Sequence, residues 1–305
     1  MAPWKPGIIP LRPMSLSEIF NGAVSYVRAN PKATLGMTTA IVLITSILVF
    51  AVGLVPRLVG GNVATAAGFI TGAAATVLAT TLLSGMLTVV VARAVLGSSI
   101  TVGGAWQRVR GRMPALIALT LLEFLAAVVL IAAVVGAIVG VAKAANGGLA
   151  ALFGFPMAVL LIAALAAMFT LLSLAPVAIV LERKSVTDSI RRSVALARPQ
   201  FWRIFGIRLL ASIVAFVVAG AVSVPFDIVG QVVTIGASTP KAPTLFQMMV
   251  VTIGQAIGQI ITTPFTAGVV ALLYVDARMR SEAFDFVLQN TPPGADGGDS
   301  LWLAR

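Results

Sequence analysis

Two ionisable residues, Glu123 and Arg208, stand inside long apolar stretches of the chain, where a charge is costly unless it is paired or hydrated. They could do three kinds of chemistry. An ion pair would fix how two helices pack. Alternatively, Arg208 could hold a phosphate while Glu123 is released or protonated, as in a gate or a headgroup site. Or each charge could snorkel separately to the interface. Each residue lies nine positions after a proline, Pro114 or Pro199. At about 1.5 Å rise per residue, both sit roughly 13 Å along their helices, at matching depth. The spacing predicts that they face each other as an intramembrane charge pair.

A second group, Glu182, Asp276, Arg93, Arg183, Arg278 and Arg280, falls at the ends of apolar stretches, where interfacial ion pairs are expected. A glutamate and an aspartate act as acid and base only when brought together, and nothing in their spacing does that. The chain has no cysteine and no histidine, which removes thiol nucleophiles, imidazole bases, disulfides and most transition-metal sites. No catalytic constellation, metal or cofactor is expected. The remaining polar pattern is weak. Gly68, Gly72, Thr76, Thr80, Ser84 and Thr88 recur at every fourth position, a small-residue stripe that suits close helix packing or, alternatively, lines a polar path. Gly254 and Gly258 form a small-x-x-x-small pair ahead of Pro264, which is predicted to kink its helix, and Pro176 after Ser173 is predicted to do the same.

The elements that carry these residues are helices in lipid. Of 305 residues, 59% are apolar and 10% charged, with mean hydropathy +1.05, far above a soluble domain of this size. A helix needs about 20 apolar residues to cross a bilayer. Six stretches qualify: Leu35–Val55, Val63–Val91, Leu116–Val141, Leu152–Leu181, Ile204–Val224 and Phe246–Tyr274. Three of the 21 basic residues, Arg57, Lys143 and Lys241, fall in the loops of one side, and the other 18 lie on or near the opposite side. The positive-inside rule then places both termini in the cytoplasm, and a bacterial inner membrane is expected. The net charge of +11 is explained by topology and contact with anionic headgroups, so no nucleic-acid partner is expected. Prolines in the first ten residues occupy the place of a signal peptide's apolar helix, so no cleaved leader is expected.

A repeat organises the spans. Ser15, Thr101 and Ser185 lie 86 and 84 residues apart, each followed by an apolar residue, a bulky residue five positions on (Phe20, Trp106, Ile190) and a proline (Pro31, Pro114, Pro199) before a span. Leu16, Ile19, Phe20, Ala23, Val24 and Val27 share one helical face, as do Val102, Ala105, Trp106, Val109 and Met113, and Val186, Ile190, Val194 and Ala197. Ser15 with Glu18 has capping-box spacing, and Ser185 with Asp188 is a close variant. Arg108, Arg110, Arg112, Arg191, Arg192 and Arg198 fall on or near the polar faces, so the three helices are expected in the headgroup plane, facing lipid or a partner. The expected architecture is all-α: six transmembrane helices as three repeated hairpins, each preceded by an amphipathic interfacial helix. The boundaries are a Pro-rich arm over 1–14, a membrane domain over 15–288 (repeats near 15–97, 101–182 and 185–280, with a partial fourth amphipathic helix over 281–288), and a disordered tail over 289–305.

Three segments carry a resemblance. The opening Gly7–Ala23, the run Ala175–Glu182 leading into Arg192 and Ser193, and Pro264-Phe265 followed by Leu273–Arg280 resemble the bacterial glycerophosphoryl diester phosphodiesterase membrane-domain family. That resemblance implies a membrane domain that is sometimes fused to a phosphodiesterase barrel and often stands alone. Such a barrel carries catalytic histidines, and this chain has none. The leading functional expectation is a non-enzymatic membrane scaffold or accessory protein that meets the bilayer, anionic lipids and a cytoplasmic or membrane protein partner. The alternative is a small transporter or lipid-handling protein, which needs a continuous polar cavity.

Overall fold

The computed structural model describes residues 9–10, 12–59, 62–144, 147–232, 244–289 and 301–303. They contain eleven α-helices and no strand. The helices are α1 (Leu16–Ala29), α2 (Pro31–Val59), α3 (Asn62–Val95), α4 (Val102–Arg110), α5 (Met113–Ala144), α6 (Gly147–Leu171), α7 (Ala175–Leu181), α8 (Val186–Ala197), α9 (Phe201–Val232), α10 (Leu245–Glu282) and α11 (Phe284–Gln289). Six stretches among the described residues are long and apolar enough to cross a membrane. Their outer surfaces are apolar, with Phe69, Phe155 and Phe216 each about three-quarters exposed, as expected of side chains that meet lipid tails. The chain is therefore a membrane protein.

Sequential long helices pack in pairs, α2 on α3, α5 on α6 and α9 on α10. The α9–α10 contact is close because of two glycines: a Cβ added at Gly254 would lie 2.7 Å from Phe226 Cβ, and one at Gly258 would lie 3.2 Å from the Ala219 backbone. α9 also runs eight residues beyond the expected Val224, through Pro225 and Asp227.

The core is concentrated at one end of the bundle. Residues Ala271–Met279 of α10 are buried one after another, which makes this stretch a central post rather than an amphipathic stripe. α1 lies directly on it. The stripe that α1 buries is Ile19, Gly22, Ala23 and Tyr26, while Leu16 and Val24 are about 40% exposed, so the buried face shares Ile19 and Ala23 with the predicted one and is rotated from it by roughly a fifth of a turn. The cause is local. A Cβ at Gly268 would run into the Tyr26 ring, so the glycine leaves the notch that receives this ring, and the Tyr26 hydroxyl donates to the Pro264 carbonyl. Burial raises the Tyr26 phenol above its ordinary range, so it remains a neutral donor. Phe20 meets Phe265 edge-on at 5.4 Å.

The expected fourth-span kink takes another form. α6 ends at Leu171, and Pro176 sits in the first turn of a separate helix, α7, where its missing N–H leaves no gap. Every carbonyl freed at the end of α6 has a partner: Phe169 O accepts from Arg208 Nη1 at 2.6 Å, Thr170 O from Ser173 Oγ at 2.7 Å, Leu171 O from Ser193 Oγ at 2.5 Å and Leu172 O from Ala175 N at 3.0 Å. Ser193 Oγ also accepts from Leu174 N at 3.1 Å. One serine on α8 thus spans the break, and a broken helix is tolerated in a membrane when its backbone is re-satisfied in this way.

Candidate functional site

α10 carries two ion clusters on opposite faces. Tyr274, Arg278 and Glu282 follow at i, i+4 and i+8, whereas Asp276 and Arg280 are offset by two residues, about 200° around the helix. On the first face the Glu182 carboxylate, at the end of α7, is completely buried. It accepts from Arg192 Nε at 2.9 Å and from the Tyr274 hydroxyl, with Lys184 at 3.4 Å and Arg278 at 4.0 Å. Arg192 also pairs with Glu282, and Arg278 Nε reaches Glu282 at 3.0 Å. Arg278 stacks over the Phe284 ring at 4.1 Å and donates to the Trp302 carbonyl at 3.0 Å. On the second face the buried Asp276 accepts from Met14 N at 2.7 Å, from Arg203 and from Arg280 Nε at 3.1 Å. Arg203 and Arg280 then donate to the Met14 carbonyl at 2.6 and 3.1 Å.

The two carboxylates share no partner, and each is surrounded by cations, so the geometry builds two braces and not an acid–base pair. Each cluster holds one more cation than anion. Together they tie the arm, α7, α8, α9, α10 and the tail into one unit. Among the described residues no group of three or more His, Cys, Asp or Glu could hold a metal ion.

Several sequence expectations change here. Glu123 and Arg208 close no direct ion pair, although each charge still acts on the other: the Arg208 guanidinium serves the freed Phe169 carbonyl and lies 3.7 Å above the Phe169 ring, while Glu123 Oε1 is buried without a hydrogen-bond partner. The carbonyl at the end of α6 wins because it is fixed and has lost its own N–H. Arg192, expected on a lipid-facing surface, is inside the first cluster. Arg110, Arg191 and Arg198 are exposed, Arg112 is half-buried, and Arg108 is exposed on α4. Ser281 does not open a fourth surface helix. It lies within α10, its hydroxyl bonded to Ala277 O, and the chain turns at Ala283 with φ 51° before α11. Of the tail expected to be disordered over 289–305, residues 290–300 and 304–305 lie outside the described residues, while Trp302 is buried against Phe284 with ring centroids 5.4 Å apart.

The hydroxyls of the α3 stripe turn back to their own helix, Thr76 to Gly72 O, Thr80 to Thr76 O and Thr88 to Ser84 O. With Gln259 and Thr263, Thr76 and Thr80 line a cavity of about 10 Å³, room for about one water. Gly68 is half-buried on the same helix. Sequence reasoning missed Met14, Arg203, Tyr26 and Ser193. The first two act over separations of 262 and 73 residues from Asp276, for which local spacing carries no signal.

The family described as a domain of unknown function, DUF7847, matches residues 14–277. The chain belongs to this family. No curated protein and no solved structure matches it.

Proposed function

We propose that the protein is a non-enzymatic multi-pass membrane scaffold or accessory protein, inserted in a bacterial inner membrane with both termini in the cytoplasm. The observation that carries this reading is the pair of ion clusters, which lock the arm, α7–α10 and the tail together at one end of the bundle. A rigid end of this kind suits presentation of a surface more than passage of a cargo. Outside it stand Arg110, Arg191 and Arg198, with Trp202 78% exposed at the start of α9, a combination suited to anionic headgroups at the bilayer interface.

The architecture reads as three repeated hairpins, each opened by a capped amphipathic helix. In support, Ser15, Thr101 and Ser185 are N-caps whose hydroxyls accept from the backbone N–H three residues on. The likeness to the glycerophosphoryl diester phosphodiesterase membrane domain is in keeping with such a body and brings no activity with it. A lipid-handling reading is favoured by one observation, an apolar groove of about 450 Å³ between α5, α6 and α9, with Phe169, Phe205 and Arg208 in its wall.

The test is purification in lipid nanodiscs followed by mass spectrometry of what remains bound. A stoichiometric protein partner supports the scaffold. A specific lipid that is lost in Arg208→Gln, with folding retained, supports lipid handling and counts against the scaffold.

A further inference from the structure

A third basic constellation lies apart from both ion clusters. Arg93 in the last turn of α3, Arg108 on α4 and Arg183 in the turn between α7 and α8 line one cavity of about 30 Å³, and Trp302 of the tail forms part of its wall. Four stretches of chain far apart in sequence therefore converge on one small space. Arg183 is one of two non-glycine residues with positive φ among the described residues, at 54°, a backbone state that side chains disfavour and that the surrounding fold must impose. All three arginines also make other contacts within the fold. A guanidinium carries five donors in a planar fork, a shape that matches phosphate oxygens two at a time.

We propose that Arg93, Arg108 and Arg183 form a phosphate-binding site with Trp302 in its wall, taking a phosphomonoester or phosphodiester group from a lipid headgroup or from free phosphate. The enclosed space holds only about two or three waters, so the phosphate group sits at its mouth against the exposed Arg108 and Arg183, and acyl chains stay outside. The location agrees, because α4 and the α7–α8 turn adjoin the ends of long apolar helices, where headgroups lie. The site stands on its own geometry and would survive failure of the scaffold reading.

Trp302 supplies the readout. In the full chain with Trp4→Phe, Trp106→Phe and Trp202→Phe, Trp302 is the sole tryptophan, and its fluorescence is followed in phosphatidylcholine nanodiscs. Inorganic phosphate is titrated in one arm, and phosphatidic acid is added to the discs in the other. The expected result is a saturable change in at least one arm, weakened about tenfold by Arg108→Gln at unchanged thermal stability. A response to phosphatidic acid alone assigns the lipid source; a response to both assigns the phosphate group itself. Asp296 and Asp299 precede Trp302 in sequence by six and three residues, so Asp296→Asn with Asp299→Asn is run in parallel. Binding seen only in that variant supports the site and makes the chain's own carboxylates its competitors. No response in either background, or a response that Arg108→Gln leaves unchanged, overturns the proposal.

Discussion

Asp276 and Glu123 are both carboxylates on long apolar helices, and their surroundings set opposite expectations for removing the charge. Asp276 pairs with both Arg203 and Arg280 and also accepts from Met14 N. Asp276→Asn would leave two guanidiniums against one carbonyl, and breaking a buried pair from one side costs about 3–5 kcal/mol. A large fall in melting temperature in nanodiscs is expected, and a change of a degree or two would show that the brace is dispensable. Glu123 Oε1 is buried without a hydrogen-bond partner, and the charge of Arg208 offsets only part of the cost of burying the carboxylate. Glu123→Gln is expected to be neutral or stabilising, whereas Arg208→Gln leaves Phe169 O orphaned and costs about 1–3 kcal/mol. Equal losses in the two variants would restore the direct pair that their matching depth had suggested. The spacing rule placed both residues at comparable positions after their prolines, but it could not see that a helix end between them offers Arg208 a better acceptor.

At the scale of elements, the sequence was most legible where physics is local. Six apolar stretches are visible because the bilayer sets their length, and Arg280 with Asp276 is visible because four residues make one helical turn. The break between α6 and α7 is not visible, because Pro176 suits a kink and a helix start equally well. What favours the break is Ser193, 19 residues from Leu174 and 22 from Leu171. This leads to a contrast between two serines on the same helix, α8. Ser185 is its N-cap in an exposed position, and Ser185→Ala is expected to cost about 1 kcal/mol. Ser193→Ala would strip both Leu174 N and Leu171 O of their partner in a buried site, for about 2–4 kcal/mol at roughly 1–2 per group. Chemical denaturation of the two variants in the same detergent compares them directly, and a Ser193→Ala loss no larger than that of Ser185→Ala would mean that the break is satisfied in another way. The register of α1 carries the same lesson: its own periodicity marks Ile19 and Ala23, and the rotation that also buries Gly22 and Tyr26 follows from the notch at Gly268, far along the chain.

For the whole molecule, orientation follows from charge placement acting on the spans. The ion-cluster end carries Arg110, Arg191 and Arg198 on its surface, while Lys143 stands exposed near the far end of α5, at the opposite pole of a helix of 32 residues. At about 1.5 Å per residue that helix is roughly 48 Å long, enough to cross the hydrocarbon core and both headgroup layers. Moving the arginine-rich end across the bilayer would carry many cations through hydrocarbon, whereas the reverse arrangement carries few. The chain lacks cysteine, so each introduced thiol reports without background. In intact cells a membrane-impermeant maleimide is expected to label Lys143→Cys and to spare Arg110→Cys and Arg191→Cys, which should react only after the membrane is opened. Labelling of Arg110→Cys in intact cells would invert the topology, and with it the assignment of the braced end to the cytoplasm. The two ion clusters would keep their structural role in either case, because their partners are internal to the fold, but the exposed arginines would then face the wrong compartment for a cytoplasmic partner.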